Sequence, residues 1–183
     1  MLFTDRSIWT MIHGIVLGGT ALMALFAALF HMYAMRTARD AGDTGDAGVA
    51  APSQSRSLAQ LTVLIAVVLW LTVLVGAYIT FPPYLARPPV GATDLSAYPR
   101  ALIQANPDTT WLHAFAMESK EHVPWIAAML ATAVAFVSVR YRARLLNDAR
   151  LRKMTMTLLA ICFALSAFMG ILGTFINKVA PLQ

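Results

Sequence analysis

Four apolar runs dominate the chain: Ile8 to Met35, Leu58 to Phe81, Pro124 to Val139, and Met154 to Ile176. None of them contains Lys, Arg, Asp or Glu. A helix crossing a bilayer core needs ~20 apolar residues. Three runs reach that length, and the third does so once Ala116, Val123 and Tyr141 extend its interfacial ends. The pattern predicts spans at about 8–35, 58–81, 122–142 and 154–177. The fold class is therefore an all-α membrane protein, a four-transmembrane-helix bundle forming one integral membrane domain over residues 1–183.

The connections differ in character. Thr37 to Ser57 is rich in Gly, Ala, Asp and Ser without apolar periodicity, and reads as a flexible tether. From Tyr141 to Lys153, Arg, Leu and Asn recur at helical spacing. Helices three and four are thus expected to extend beyond the bilayer, turn tightly near Asn147-Asp148 and pack as antiparallel neighbours.

The middle connection, residues 82–121, is longest. Pro82-Pro83 ends helix two, and Pro88-Pro89 stiffens the next stretch of chain. Asn106-Pro107-Asp108 is a helix-start signal, predicting a short helix from about Pro107 to about Lys120 above the membrane. Pro124 then begins or kinks the third span. A loop of this length caps the bundle and offers a docking face, with Tyr84, Tyr98 and Trp111 as anchors.

Composition agrees with the runs. The chain is 58% hydrophobic and 13% charged, against about 25% charged residues in a soluble domain. Lipid must supply the missing cover. The single cysteine, Cys162, lies inside an apolar run and reads as a small buried hydrophobe. Asp5 and Arg6 replace a basic leader, and the first run is too long for a signal core, so it is expected to remain as a span.

The basic excess, Lys+Arg 14 against Asp+Glu 9, flanks the runs instead of forming a nucleic-acid patch. Arg36, Arg39 and Arg56 lie in the first connection, and Arg140, Arg142, Arg144, Arg150, Arg152 and Lys153 in the third. This places both connections in the cytoplasm. The expected location is the cell inner membrane, with both termini and the loop 82–121 outside, in the periplasm.

Candidate chemistry gathers between Trp111 and Trp125, which holds His113, Glu118, Lys120, Glu121 and His122. Histidine is the usual axial ligand of haem and a ready proton handler. His13, one turn inside helix one, and His122, at the outer end of helix three, sit at similar depth, as a bis-histidine haem b requires. His113 is the substitute ligand. His31 lies near the other face and reads as interfacial.

Glu118 and His122 share a helix face one turn apart, an arrangement suited to a quinol proton acceptor, with Glu121 beside them. A metal site would need His113 or His13 as well. The blander reading of Glu118, Lys120 and Glu121 is a solvated, salt-bridged collar. Gly14 and Gly18 provide either haem clearance or close helix packing, and Gly170 and Gly173 close packing. Trp9, Trp111, Trp125, Tyr78 and Tyr84 read as interfacial anchors, and Trp70 as a packed mid-span residue.

The four-span layout with histidines at one face resembles, in topology and histidine placement, the small b-type cytochrome and quinone-handling subunits of respiratory complexes. The expected function is an integral subunit of a bacterial electron-transfer complex, holding haem b or lining a quinone site. Its partners would be the bilayer and other membrane or periplasmic subunits. The alternative is a cofactor-free scaffold that docks a larger partner through its outer loop. A transporter is disfavoured because the runs carry no charge at mid-membrane.

Overall fold

The computed structural model describes residues 4–40 and 47–182. Among these residues the chain is all-helical, and four helices are long and apolar enough to span a membrane. Helix one combines an α segment Asp5–Met11, a π segment Ile12–Gly18 and an α segment Gly19–Asp40. Helix two runs through Ala47–Val75, a π segment Gly76–Thr80 and the turn Phe81–Tyr84. Helix three joins a π segment Leu112–Met117 to Glu118–Arg140. Helix four is the α-helix Ala149–Val179.

Each helix packs on its neighbours in sequence, and helix four closes the ring on helix one. The beginnings of helices one and three therefore share an end, here called upper, with the ends of helices two and four. The middle and lower part of the ring is packed with small and branched side chains. Ala21, Ala24 and Ala28 of helix one share a stripe at helical spacing, as do Ala128, Ala131 and Ala135 of helix three. Leu25, Leu58, Ile65, Leu159 and Cys162 fill the space between them. Only 28% to 44% of each apolar window is buried inside the chain. Met23, Phe26, Phe30 and Phe136 face outward, so hydrocarbon has to cover them.

Several expectations hold. Asp148 stops the third connection and caps helix four, its Oδ1 accepting from Arg150 N at 2.9 Å and Leu151 N at 3.1 Å. Cys162 is fully buried, its thiol aimed at the Ala127 carbonyl oxygen 3.7 Å away. Trp70 packs edge-on against Trp125, with ring centroids 5.8 Å apart, and donates to Thr132 Oγ1 at 2.9 Å. His31 bonds the Gln54 carbonyl oxygen at 2.9 Å through Nε2, tying helix one to helix two at the lower end.

Others need correction. The tether of residues 37–57 shrinks, because helix one continues to Asp40 and helix two starts at Ala47. What is left of it, residues 41–46, falls outside the described residues. Alanines at 47, 50 and 51 are strong helix formers, and residues 53–57 have helix one to lean on. In the upper connection, Asn106-Pro107-Asp108 forms a turn, with Asn106 Oδ1 accepting from Asp108 N at 2.9 Å. The helix after it is no separate surface element. It runs unbroken into helix three, and Pro124 lies inside it. The third span is therefore Leu112–Arg140, and Glu118, Lys120 and Glu121 belong to it.

The connection has its own short helix elsewhere, Pro99–Ala105. Its fully buried Ile103 docks beside Tyr84, Leu112, Met169 and Ile176. Before it, Pro89 accepts from Ala92 N at 3.1 Å across a turn with Gly91 at φ 83°, where a side chain would be strained. Tyr84, expected as a docking anchor, is only 6% exposed and packs within this chain. Tyr84 is therefore not an interfacial anchor, whereas Trp125 is half-buried and Trp9, Trp111 and Tyr78 are exposed.

Candidate functional site

Three helices carry π segments, of 7, 5 and 6 residues, and all three lie at the upper end. π turns are rare, widen the helix and concentrate at functional sites. Here they border a cavity of about 540 Å³ enclosed by all four helices, within the size range of small-molecule sites. Its wall includes His13, Gly14 and Gly18 of helix one and Gly76 and Thr80 of helix two. Helices three and four add Lys120, Glu121, Trp125, Ser166, Gly170 and Gly173.

The His13 imidazole points its Cε1 corner at Gly76. A Cβ on that glycine would stand 2.8 Å from His13 Cε1, closer than side chains tolerate. His13 Nδ1 is buried without a hydrogen-bond partner. So is Ser166 Oγ, on the same wall. By contrast, the cavity threonines are satisfied by their own helices. Thr10, Thr72, Thr80 and Thr174 each donate to the carbonyl oxygen four residues earlier, at 2.7 to 3.0 Å. The polar groups left for a ligand are thus few and specific.

Lys120 departs most from its predicted place. It is no part of a solvated collar: its chain crosses to helix four, where Nζ donates to the Met169 carbonyl oxygen at 3.4 Å. The missing side chain of Gly173 makes the room, since a Cβ there would be 3.1 Å from Nζ. Gly170 and Gly173 were expected to serve close helix packing, and Gly14 and Gly18 either that or haem clearance, but most of the four face open space or a side chain. Gly14 and Gly170 have nothing within 4 Å of a would-be Cβ. Both border the cavity and are also exposed, as are Ile15 and Thr174. The cavity therefore reaches the surface along the seam between helices one and four, inside the apolar zone.

The other sequence candidates lie apart. His122 is exposed, and its Nδ1 donates to the Glu118 carbonyl oxygen of its own helix at 2.9 Å. Glu118 is exposed as well. His113 meets the Tyr84 hydroxyl through Nδ1 at 3.0 Å, with ring centroids 5.9 Å apart. Neither His113 nor His122 joins His13 on the cavity wall, so the pairings His13–His122 and His13–His113 are not assembled here. Glu121 does line the cavity. Among the described residues, no three His, Cys, Asp or Glu side chains gather as a metal site would require.

Sequence reasoning missed Lys120, Gly76 and Ser166. For Lys120 a signal was present. Ala116, Lys120, Pro124, Ala127 and Ala131 fall at successive steps of three or four, and Ala116, Ala127 and Ala131 are buried. Glu118 and His122 fall off that stripe. Comparison with protein-family models, with curated proteins and with solved structures finds no match to this chain.

Proposed function

We propose that this protein is a quinone-binding integral subunit of a membrane electron-transfer complex, with the quinone head group held in the upper cavity. One observation carries the reading: a lipid-accessible cavity keeps Ser166 Oγ, His13 Nδ1 and the Lys120 ammonium without full partners. Buried polar groups are ordinarily paired, and unpaired ones cost stability. A quinone carries acceptor oxygens on a flat apolar ring, which suits the hydroxyl and ammonium donors beside Trp125 and Met169. Its isoprenoid tail would leave through the glycine seam into lipid.

The arginine-rich lower end sets the orientation in this reading. With Arg140 to Lys153 in the cytoplasm, the cavity sits near the periplasmic face of the inner membrane. Partner subunits would then receive electrons there. A haem b is the weaker cofactor assignment, because one histidine lines the cavity, although Met117 and Met169 stand near it as further donors.

The test is binding of a short-chain quinone to the detergent-solubilised protein, read as quenching of Trp125. Saturable quenching that is lost in Trp125→Phe and weakened in His13→Ala is expected. Solvent extraction of the purified protein should also release a membrane quinone. A Soret band that disappears in His13→Ala would replace this reading with haem. No saturable quenching and no extracted quinone would sink it and leave the scaffold alternative.

A further inference from the structure

We infer that the cavity selects a ligand whose head group is negatively charged, and that Lys120 is the residue that selects it. The inference rests on the quinone-binding reading and narrows it to acidic, ionised quinones. Lys120 has three N–H donors. Among the described residues its ammonium meets only the Met169 carbonyl oxygen, at 3.4 Å, and has no carboxylate within ion-pairing distance.

A cation inside a membrane bundle is costly unless it is paired. The other charged groups on the wall do not neutralise it. Arg6 is a second cation, and its Nη2 donates to the Pro181 carbonyl oxygen at 3.2 Å. Glu121 lines the cavity on the Tyr84 side. Among the described residues the wall thus carries two cations against one carboxylate.

The seat for Lys120 is also built. Gly173 leaves space on the side where the ammonium sits, and a Cβ there, at 3.1 Å from Nζ, would oblige it to shift. An exposed lysine needs no such opening in the facing helix. The arrangement holds a positive charge on a largely apolar wall that also carries the unpartnered hydroxyl of Ser166. An anionic oxygen placed there would take a charge-assisted bond from Lys120 and a second bond from Ser166. A neutral quinone carbonyl would gain less and leave the charge unbalanced.

Three probes of equal alkyl length separate the possibilities: a 2-hydroxy-1,4-naphthoquinone, ionised at neutral pH, the same naphthoquinone without the hydroxyl, and a fatty acid. Wild-type protein should bind the hydroxyquinone more tightly than the neutral one. Lys120→Met keeps the side chain's bulk and makes helix three more apolar, so insertion is retained. It should weaken the hydroxyquinone roughly ten- to a hundredfold and the neutral probe, which loses one uncharged-acceptor bond, by a clearly smaller factor. Gly173→Ala should produce a smaller loss in the same direction.

Equal affinity for both quinones, or a preference that survives Lys120→Met, overturns the inference while leaving quinone binding in place. Lys120-dependent binding of the fatty acid alone would support the charge selection and remove the quinone reading. Binding of none of the three overturns both.

Discussion

The two halves of the bundle use small residues in opposite ways. In the lower and middle part, alanines of helices one and three let neighbouring helices close on Leu25, Ile65 and Leu159, and the upper cavity does not reach them. At the upper end glycines take over and three helices widen into π turns. There the ring parts around polar groups. Alanine still has a methyl to pack, so it makes contact surface. Glycine has none, so two glycines facing each other across a seam leave an opening unless another residue fills it. Lys120 does so at Gly173 and His13 at Gly76. At Gly14 and Gly170 nothing does.

Adding bulk to each half tests the contrast most forcefully. Ala131→Leu enlarges a residue 1% exposed in the dry half and should cost about 1–3 kcal/mol of stability. Gly170→Ala adds a methyl where nothing lies within 4 Å, and should gain about 0.5–1 kcal/mol through helix propensity. Thermal unfolding in one detergent measures both. Equal losses from the two would mean that the upper end is as tightly packed as the lower, and the comparison would fail.

A finer test stays within the cavity. Gly76→Ala forces the His13 ring to shift, since the new methyl would meet Cε1 at 2.8 Å. Quinone affinity should fall roughly three- to tenfold, the worth of one displaced hydrogen bond. In a His13→Ala background the same glycine change should have almost no effect, because its target is gone. If Gly76→Ala weakens binding equally in both backgrounds, it acts by distorting helix two and not through His13.

The smallest effect belongs to the connection above the cavity. Asp94 is held below the ordinary carboxylate value because its carboxylate accepts from the Ser96 backbone N–H, at 2.9 Å, and from the Ser96 side chain. A depressed folded value stabilises the loop above the unfolded pKa, and that contribution is lost as pH falls through the folded value. The protection of the Ser96 amide, relative to its intrinsic exchange rate at each pH, should therefore fall on acidification, and Asp94→Asn should abolish the step. The melting temperature of the whole bundle should not move, which would mark the loop as independent of the packing contrast below it.

The four spans were legible because hydrocarbon imposes one requirement on a crossing helix: a long run with few charges. Buried Cys162 and the turn at Asn147-Asp148 were legible for equally local reasons. Helix three was misjudged where a local rule met a tertiary one. Pro124 is a helix-start signal taken alone, yet here it sits inside a continuous helix. Dividing the chain into a surface helix ending near Lys120 and a span beginning at about residue 122 hid the stripe through Ala116, Lys120 and Ala127, and turned a cavity residue into a surface one.

The histidines show the same division. Sequence spacing placed His13, His113 and His122 at one end of the bundle, and in the structure they are at that end. Two of the rings meet neighbours far along the chain, His13 at Gly76 and His113 at Tyr84, whereas His122 bonds the Glu118 carbonyl oxygen of its own helix. Periodicity and hydropathy are properties of one segment, so the sequence by itself determined the class of protein, the number of helices and their antiparallel order. Whether a glycine is a contact or an opening, and whether a lysine faces water or a cavity, depends on what the opposite helix presents at that height. Only the tertiary structure decided that, because burial belongs to pairs of surfaces and not to residues.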